Sequence, residues 1–346
     1  MPRSVTGRGV RTRVPLVATG LLLVASLTSC GLLGGSDESD TDTAQGGNGK
    51  LETTELKVSI MKTTDLAPFH LAMKEGYFKD EGLNINFVDA PSGGESVGKL
   101  VSGEVDLSYA SYTPFFLAES KKAAEAQGGV KLVADASSAG AGSCMVVATP
   151  DSPVKTIKDM AGKRVAITAT GTISDLLTMS TLKTNNVNYE NINWVPTPFP
   201  ATAAALKNKN VDAAFVTEPF LTLSMKEAGA QPIFDTAVGP TADMPTAGWG
   251  STGEFTQNNP NTIAAFQRAM QRGTDLALSD RSKVEPMLVE FSGVDEDTAK
   301  MATLLTFQSK LDATRIQRVP DLMLEFKVIT QPINVKQMII PTAPLS

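Results

Sequence analysis

VDLSYASYTPF, at residues 105–115, returns in altered form as VDAAFVTEPF at residues 211–220. Each copy has a short β-branched and aromatic run typical of a buried strand, a few polar residues that form a turn, and a proline where a helix can begin. This order places small polar side chains and unpaired backbone N–H groups at the carboxyl end of a parallel strand, where open α/β sheets bind ligands. The two copies therefore predict two lobes around one binding site.

The first 29 residues have the layout of a secretory signal peptide. Four arginines precede an apolar run at residues 14–27, and this run is too short for a transmembrane anchor. The run ends in Leu27-Thr-Ser-Cys30, which resembles the bacterial lipobox. That resemblance implies that Cys30 is lipidated and becomes the mature N-terminus, with membrane attachment through its lipid. A signal peptide with an incidental cysteine is the alternative.

Residues 30–54 are predicted to be a flexible tether, because residues 31–50 are rich in Gly, Ser, Asp and Thr and have almost nothing to bury. Cleavage before Cys30 would remove four of the 31 basic residues and no acid. The remaining 27 basic residues stand against 37 acidic ones, a net charge of −10. This balance argues against nucleic acid as a partner.

The folded body begins with an alternating strand at residues 56–61 and a helix that starts near Pro68. The helix continues into AMKEGYFKDEGL at residues 72–83, and a second strand follows. This order of strand, polar turn, A-x-x-x-G-x-F-x-x-x-G-L helix and strand resembles the substrate-binding proteins of ABC importers in the nitrate, sulfonate, taurine and thiamine-precursor group. IKDMAGKRVAI at residues 157–167 resembles the entry of that family into its second lobe.

The resemblance implies an α/β chain with the type II periplasmic-binding-protein fold, in which two Rossmann-like lobes have a cleft between them and are joined by a two-strand hinge. We expect residues 55–147 to form the first part of lobe 1 and residues 148–240 to form lobe 2. Residues 241–346 then return to lobe 1 and supply the C-terminal helices. The likeness covers residues 56–278 well, and the tail matches only as helical.

Several polar turns lie between an expected strand end and a helix start, so we expect them to converge on the cleft. Glycines there let the backbone approach a ligand, and hydroxyl groups can hydrogen-bond it. Each hydroxyl could instead cap its helix. The candidates from these turns are Asp65, Ser92, Gly93, Gly94, Ser111, Tyr112, Thr113, Thr168, Thr170, Thr172 and Ser174.

Carboxylates give the expected cleft a negative character. Glu218 stands in a turn of otherwise neutral groups, and Asp65 and Asp243 add to it. A desolvated acid needs a donor, which favours a ligand with amino, amidine or hydroxyl groups. Alternatively, Glu218 is an acid stabilised by a helix dipole. Lys62 is the one base in these turns, so sulfonate or nitrate recognition would depend on helix N-termini and hydroxyls.

Three aromatic residues and the single histidine are the remaining candidate ligand contacts, and one cysteine lies in the folded body. Phe69, Tyr112 and Trp249 could stack on a flat ligand, or could belong to ordinary cores. His70, the single histidine, could bond a ligand or be a satisfied surface or core residue. Cys144 lies in an apolar run and is interpreted as a buried, inert thiol.

The sequence thus predicts a lipid-anchored, extracytoplasmic, monomeric solute-binding protein whose partners are a small-molecule ligand and an ABC permease with its ATPase. We expect no enzymatic activity, no cofactor and no metal site, since nucleophile-elbow, P-loop and metal-cluster patterns are missing from the sequence. The expected ligand is a pyrimidine or other vitamin precursor, or an aliphatic sulfonate such as taurine. Two alternatives stay open, namely an enzyme resembling a pyrimidine synthase of the same fold and a surface interaction protein without a ligand.

Overall fold

The computed structural model describes residues 49–345, in which helices cover two mixed β-sheets. The first sheet contains β1 (Glu55–Ile60), β2 (Asn84–Asp89), β3 (Leu107–Ser111), β4 (Val130–Ser138), β10 (Pro245–Thr252) and β11 (Thr306–Phe307). The second sheet contains β5 (Cys144–Ala148), β6 (Arg164–Ile167), β7 (Asn193–Pro196), β8 (Ala213–Thr217) and β9 (Gln231–Asp235). The predicted signal peptide, the lipidation site Cys30 and most of the predicted tether lie outside the described residues.

Helices occupy most of the connections between strands and much of the C-terminal region. Those before β10 are α1 (Ala67–Lys74), α2 (Tyr77–Asp80), α3 (Gly93–Val101), α4 (Tyr112–Ser120), α5 (Ile173–Thr184), α6 (Thr202–Lys207) and α7 (Phe220–Ala228). Those after β10 are α8 (Gly253–Asn258), α9 (Pro260–Ser279), α10 (Arg281–Ser292), α11 (Glu296–Met301) and α12 (Ala313–Glu325). No helix within residues 49–345 has the length and apolar character needed to cross a membrane.

The two sheets share one topology. Three parallel strands lie beside an antiparallel strand in the orders β2-β1-β3-β10 and β7-β6-β8-β5. β5 follows β4 along the chain but lies in the second sheet, and β10 follows β9 but lies in the first. The chain therefore crosses between the sheets twice within the described residues, and the predicted type II periplasmic-binding-protein fold is confirmed. The first crossing lies between β4 and β5, and the second lies between β9 and β10.

The repeated Val-Asp pair has a structural role in both sheets. The Asp106 N–H donates to the carbonyl of Lys57 on β1, and its carboxylate accepts the Lys57 N–H, both at 2.8 Å. Asp212 makes the same two bonds with Arg164 on β6, at 2.8 and 2.9 Å. The aspartate thus fastens the start of the third parallel strand to the first parallel strand. For this reason β3 and β8 occupy equivalent places.

The C-terminal helix α12 contacts structure around both sheets. Near its start, Arg315 pairs with Asp135, a wholly buried carboxylate on β4. At its end, Glu325 accepts a hydrogen bond from Lys183 of α5 at 2.6 Å. The first contact is to the first sheet and the second is to a helix of the second lobe, so α12 helps to set how the two lobes meet.

Candidate functional site

A cavity of about 50 Å³ lies where the carboxyl ends of the parallel strands of both sheets face each other. Both lobes contribute to its wall. The first lobe supplies Met61, Thr63, Asp65, Gly93, Tyr109, Ser111, Thr246, Ala247 and Leu305. The second supplies Cys144, Thr168, Ile173, Ser174, Phe199, Phe215 and Thr217. The cavity wall therefore combines apolar and aromatic side chains with nearly as many hydroxyl-bearing residues and one carboxylate.

Asp65 is the acidic group of the cavity wall. It lies in a short 3-10 turn, Thr64–Leu66, between β1 and α1, and it is only 4% exposed. Its Oδ2 accepts a hydrogen bond from Ser137 Oγ at 2.7 Å, and Ser137 is also 2.7 Å from the Thr246 hydroxyl. Its Oδ1 is buried and has no hydrogen-bond partner among the described residues. The site thus holds a carboxylate oxygen that can still accept a hydrogen bond.

Tyr109 and Phe215 are the aromatic residues that β3 and β8 direct to the cavity. Tyr109 Oη lies 3.4 Å from Thr63 Oγ1. Burial raises the pKa of Tyr109 well above its usual value, and the nearby charge of Asp65 raises it further. This phenol therefore stays protonated at neutral pH and remains a hydrogen-bond donor.

The second lobe contributes hydroxyl groups that are already linked to one another. Thr172 Oγ1 is 3.2 Å from Thr168 Oγ1 and 2.6 Å from Ser174 Oγ. Behind them, Asp175 lies in the first turn of α5, where its Oδ2 accepts the Gly171 N–H at 2.7 Å. Burial raises the pKa of Asp175 to about 6, against the lowering effect of neighbouring backbone N–H groups. The N-terminus of α5 therefore already faces a carboxylate of the chain itself.

The cavity continues into a wider mouth of about 290 Å³. Phe199 and Phe220 stack there, with ring centroids 5.2 Å apart and planes within 15° of parallel. Lys62 also lines the mouth, where it forms a 3.1 Å ion pair with Asp89, and both side chains are about half exposed. None of the described residues that line the inner cavity is Lys, Arg or His.

The structure brings five of the predicted site residues to the cavity wall, namely Asp65, Gly93, Ser111, Thr168 and Ser174. Other predicted polar residues lie beside it and have roles in the backbone or in support. Ser92 caps α3 by accepting the Glu95 N–H at 3.2 Å, and Thr172 supports Ser174. Gly94, Thr170 and Asp243 are exposed, and Thr113 is buried in the first turn of α4. Asp243 accepts a 2.6 Å bond from Ser138.

The three aromatic candidates lie in hydrophobic packing and not on the cavity wall. Phe69 and Trp249 pack together with ring centroids 5.1 Å apart, in the core beneath the first sheet. Tyr112 is buried against Phe116 and donates a 2.7 Å hydrogen bond to Asp135. These rings therefore belong to the hydrophobic core. A core role was the alternative to ligand stacking that the sequence left open.

His70 lies in a different pocket, of about 440 Å³, on the surface of the first lobe. Its ring stacks on Phe291, with centroids 4.1 Å apart. Burial lowers the pKa of His70 to about 4, although Glu290 and Asp89 oppose this. The residue is therefore neutral at physiological pH, and it does not reach the interlobe cavity.

Glu218 is buried but does not line the cavity. Its carboxylate accepts bonds from the N–H and hydroxyl of Thr222, at 3.1 and 2.9 Å, and from the Thr303 N–H at 3.4 Å. Its carbonyl accepts the Thr64 N–H at 3.4 Å. Burial raises the pKa of Glu218. Because Thr64 and Thr303 belong to the first lobe, Glu218 joins the two lobes at the start of α7.

Glu218→Ala is expected to lower the free energy of unfolding by about 1 kcal/mol, because the start of α7 loses its acceptor. Urea unfolding at pH 7 measures this change. Glu227→Ala is the matched control, since Glu227 is exposed on the same helix and should change stability by less than about 0.5 kcal/mol. Equal effects of the two substitutions would contradict a bridging role for Glu218.

Several cavity residues were missed from the sequence, most of them apolar or aromatic. Tyr109 and Phe215 hold the same place in the two copies of the repeat, as do Ser111 and Thr217. Ser111 was predicted, and aligning the copies would have added Tyr109, Phe215 and Thr217 to the candidates. The side chains of Phe199, Thr246 and Leu305 carry no comparable signal, because each comes from a segment whose position depends on the tertiary fold.

Two features of the described residues bear on the chemistry available at the cavity. Burial raises the pKa of the Cys144 thiol to about 12, so its thiolate is not available near neutral pH. Within residues 49–345 no group of three or more His, Cys, Asp and Glu side chains is placed to hold a metal ion. The geometry is that of an enclosed binding cavity.

Comparison with models of protein families shows to which family this chain belongs. Residues 49–287, more than half of it, match the model of the NMT1-like family. The chain belongs to the NMT1-like family. This NMT1-like chain is 28% identical over 230 residues to a protein of Brachyspira hyodysenteriae assigned as an ABC transporter periplasmic binding protein. That match covers 59% of this chain and 58% of the relative, so the chain spans a little over half of the relative's length.

Other relatives and solved structures match the NMT1-like chain over more of its length. A protein of Bacillus subtilis assigned as an aliphatic sulfonates-binding protein is 21% identical over 300 residues, covering 82% of this chain and 85% of the relative. The alkanesulfonate-binding protein of Xanthomonas axonopodis pv. citri, bound to MOPS, superposes with a TM-score of 0.72 at 16% identity, covering 85% of this chain and 100% of the other. The nitrate-binding protein of Synechocystis PCC 6803 gives 0.71 at 14% identity, with 84% and 86% covered. The structural likenesses establish the fold.

Proposed function

We propose that this chain is the extracytoplasmic solute-binding component of an ABC importer and that it does no chemistry on its ligand. The observation that carries the proposal is the enclosed cavity, whose wall combines residues from the strand ends of both lobes. A ligand that contacts both lobes stabilises the arrangement in which they meet. A permease with its ATPase would then distinguish the loaded protein by that arrangement. Membership of the NMT1-like family and the names of the relatives support this role.

Contacts between the lobes support a discrete closed arrangement. Lys226 of α7 forms a 3.0 Å ion pair with Asp295 at the start of α11, and it also donates to Thr298 at 2.6 Å. The Thr64 N–H donates to the Glu218 carbonyl on the other side of the cleft. The Lys226–Asp295 pair is exposed, so it can form and break with ligand occupancy, whereas Thr64 and Glu218 are buried where the lobes meet.

We further propose that the protein acts as a monomer, attached to the membrane by a lipid on Cys30. The arginines, apolar run and lipobox-like sequence of residues 1–30 support attachment. The polar composition of residues 31–50 would give the folded body reach toward a permease.

Ligand binding should stabilise the protein. Native mass spectrometry of the purified full-length protein is expected to show a bound small molecule, and adding that molecule at 100 times its Kd should add about 2.7 kcal/mol to the free energy of unfolding. Differential scanning fluorimetry with the identified molecule measures this effect. If no mass is bound and neither sulfonates nor nitrogen heterocycles raise Tm, the solute-binding role is contradicted, and a surface interaction protein becomes the better hypothesis.

A further inference from the structure

We propose that the ligand presents an N–H donor to Asp65, as an amine or an amino-substituted ring does, and that the cavity does not take a sulfonate or other simple anion. This proposal rests on the proposed function, because it names the ligand chemistry of the same cavity.

The buried Asp65 carboxylate is the first part of the argument. Ser137 satisfies one of its oxygens, whereas the other is buried and has no hydrogen-bond partner among the described residues. The Tyr109 phenol on the same wall lies close to this carboxylate, so Tyr109→Phe is included in the test to separate its contribution from that of a ligand donor. A buried carboxylate oxygen without a donor costs free energy. An N–H group of a ligand would remove this cost by donating to Oδ1, and a cationic amine would add charge attraction. An anionic group in the same small cavity would face repulsion.

Hydroxyl groups are the main donors that the cavity wall offers to an anion, because the charged and helix-terminal groups nearby are already engaged. The cavity wall has no basic side chain among its described residues, and Lys62 at the mouth is paired with Asp89. At the N-terminus of α5, Asp175 accepts the Gly171 N–H. At the N-terminus of α3, Ser92 accepts the Glu95 N–H. The chain therefore supplies its own oxygen acceptor for one N–H at each of these two helix starts, where a sulfonate would otherwise compete for it.

The rest of the wall indicates an apolar or ring-shaped ligand body. Ile173, Phe199, Phe215 and Leu305 surround the inner cavity, and Phe199 also belongs to the mouth. The stacked pair Phe199 and Phe220 offers flat aromatic surface to a ligand that extends outward. A ligand whose N–H donor faces Asp65 and whose apolar body extends toward the mouth would fit this lining.

The test uses the full-length protein, with its tightly bound molecule identified by native mass spectrometry and accurate mass. Fluorimetry then compares ring-matched probes, benzylamine and 2-aminopyridine against benzenesulfonate and pyridine-2-sulfonate. Taurine is left out because it carries both an amine and a sulfonate. Asp65→Ala removes both carboxylate oxygens and should weaken binding of the N–H ligand at least about tenfold. Tyr109→Phe is measured beside it to separate the contribution of the phenol. The matched control is Asp106→Asn, at the opposite end of β3, which should leave affinity within about twofold.

The outcomes separate this proposal from the function on which it rests. The proposal is supported by a bound molecule with N–H groups and no free anionic group, together with selective loss of affinity in Asp65→Ala. It is overturned by a bound sulfonate or other anion lacking N–H groups, or by an N–H ligand whose affinity is the same in Asp65→Ala, and either result leaves the solute-binding role intact. If no small molecule of either class binds, the solute-binding role itself fails. If Asp65→Ala does not fold, the identity of the bound molecule and the matched probes decide between these outcomes.

Discussion

Replacing Arg315 with Met is expected to lower the free energy of unfolding by about 3–5 kcal/mol at pH 7, because the change leaves a buried carboxylate without its cation. Asp135 is wholly buried on β4, and its hydrogen bond from Tyr112 cannot replace the charge of Arg315. Burial already raises the pKa of Asp135 to about 6, although Arg315 opposes the shift. Urea unfolding followed by circular dichroism measures the loss.

The loss should be smaller at pH 5 than at pH 7. A carboxyl group whose pKa is higher in the folded state contributes stability that is present at low pH and lost as pH rises from about 4 to 6. Without Arg315 this pKa should rise further, so Asp135 would be protonated at pH 5 and its burial would cost less. Arg318→Met is the control, since half-buried Arg318 lies one turn further along α12 and donates only to backbone carbonyls, so its loss leaves no buried charge unpaired. An equal loss at both pH values would contradict the charge-burial explanation.

Gly273→Ala is expected to lower the free energy of unfolding by about 2–3 kcal/mol, although alanine favours helices by up to about 1 kcal/mol. Gly273 lies where α9 crosses α1, and a Cβ there would overlap the Pro68 carbonyl oxygen and lie 2.9 Å from Ala72 Cβ. The backbone of α1 would have to move. Since α1 begins just after Asp65, ligand affinity should fall with stability.

Gly98→Ala is the control, and we expect it to raise the free energy of unfolding. Gly98 is an exposed position within α3, and a Cβ there would have no neighbour within 4 Å. Alanine should therefore stabilise the protein by about 0.4–1 kcal/mol. Thermal and urea unfolding of both variants test the pair. Stabilisation by Gly273→Ala would show that the helices can separate without cost, and the packing explanation would then be wrong.

The sequence predicted two α/β lobes because the signals for them are local, whereas the type II fold was implied by the family resemblance. A strand, a polar turn and a helix start recur at β3 and β8, and each copy carries the aspartate that fastens its strand to a neighbour. Period-two patterning and turn residues mark such units without knowledge of distant contacts. The same local order brought Asp65, Ser111 and Ser174 to the correct end of their sheets.

Only the tertiary structure decided which side chains face the cavity. Phe69, Trp249 and Tyr112 lie in hydrophobic packing because their faces of α1, β10 and α4 meet other elements of the first lobe. Glu218 bonds to Thr303, and Asp65 bonds to Ser137, across long separations in the chain. Sequence periodicity shows which residues share a face of one helix or strand, but it does not show which other element packs against that face. The sequence therefore determined where polar turns gather, whereas long-range packing decided that Asp65 keeps an oxygen free of partners.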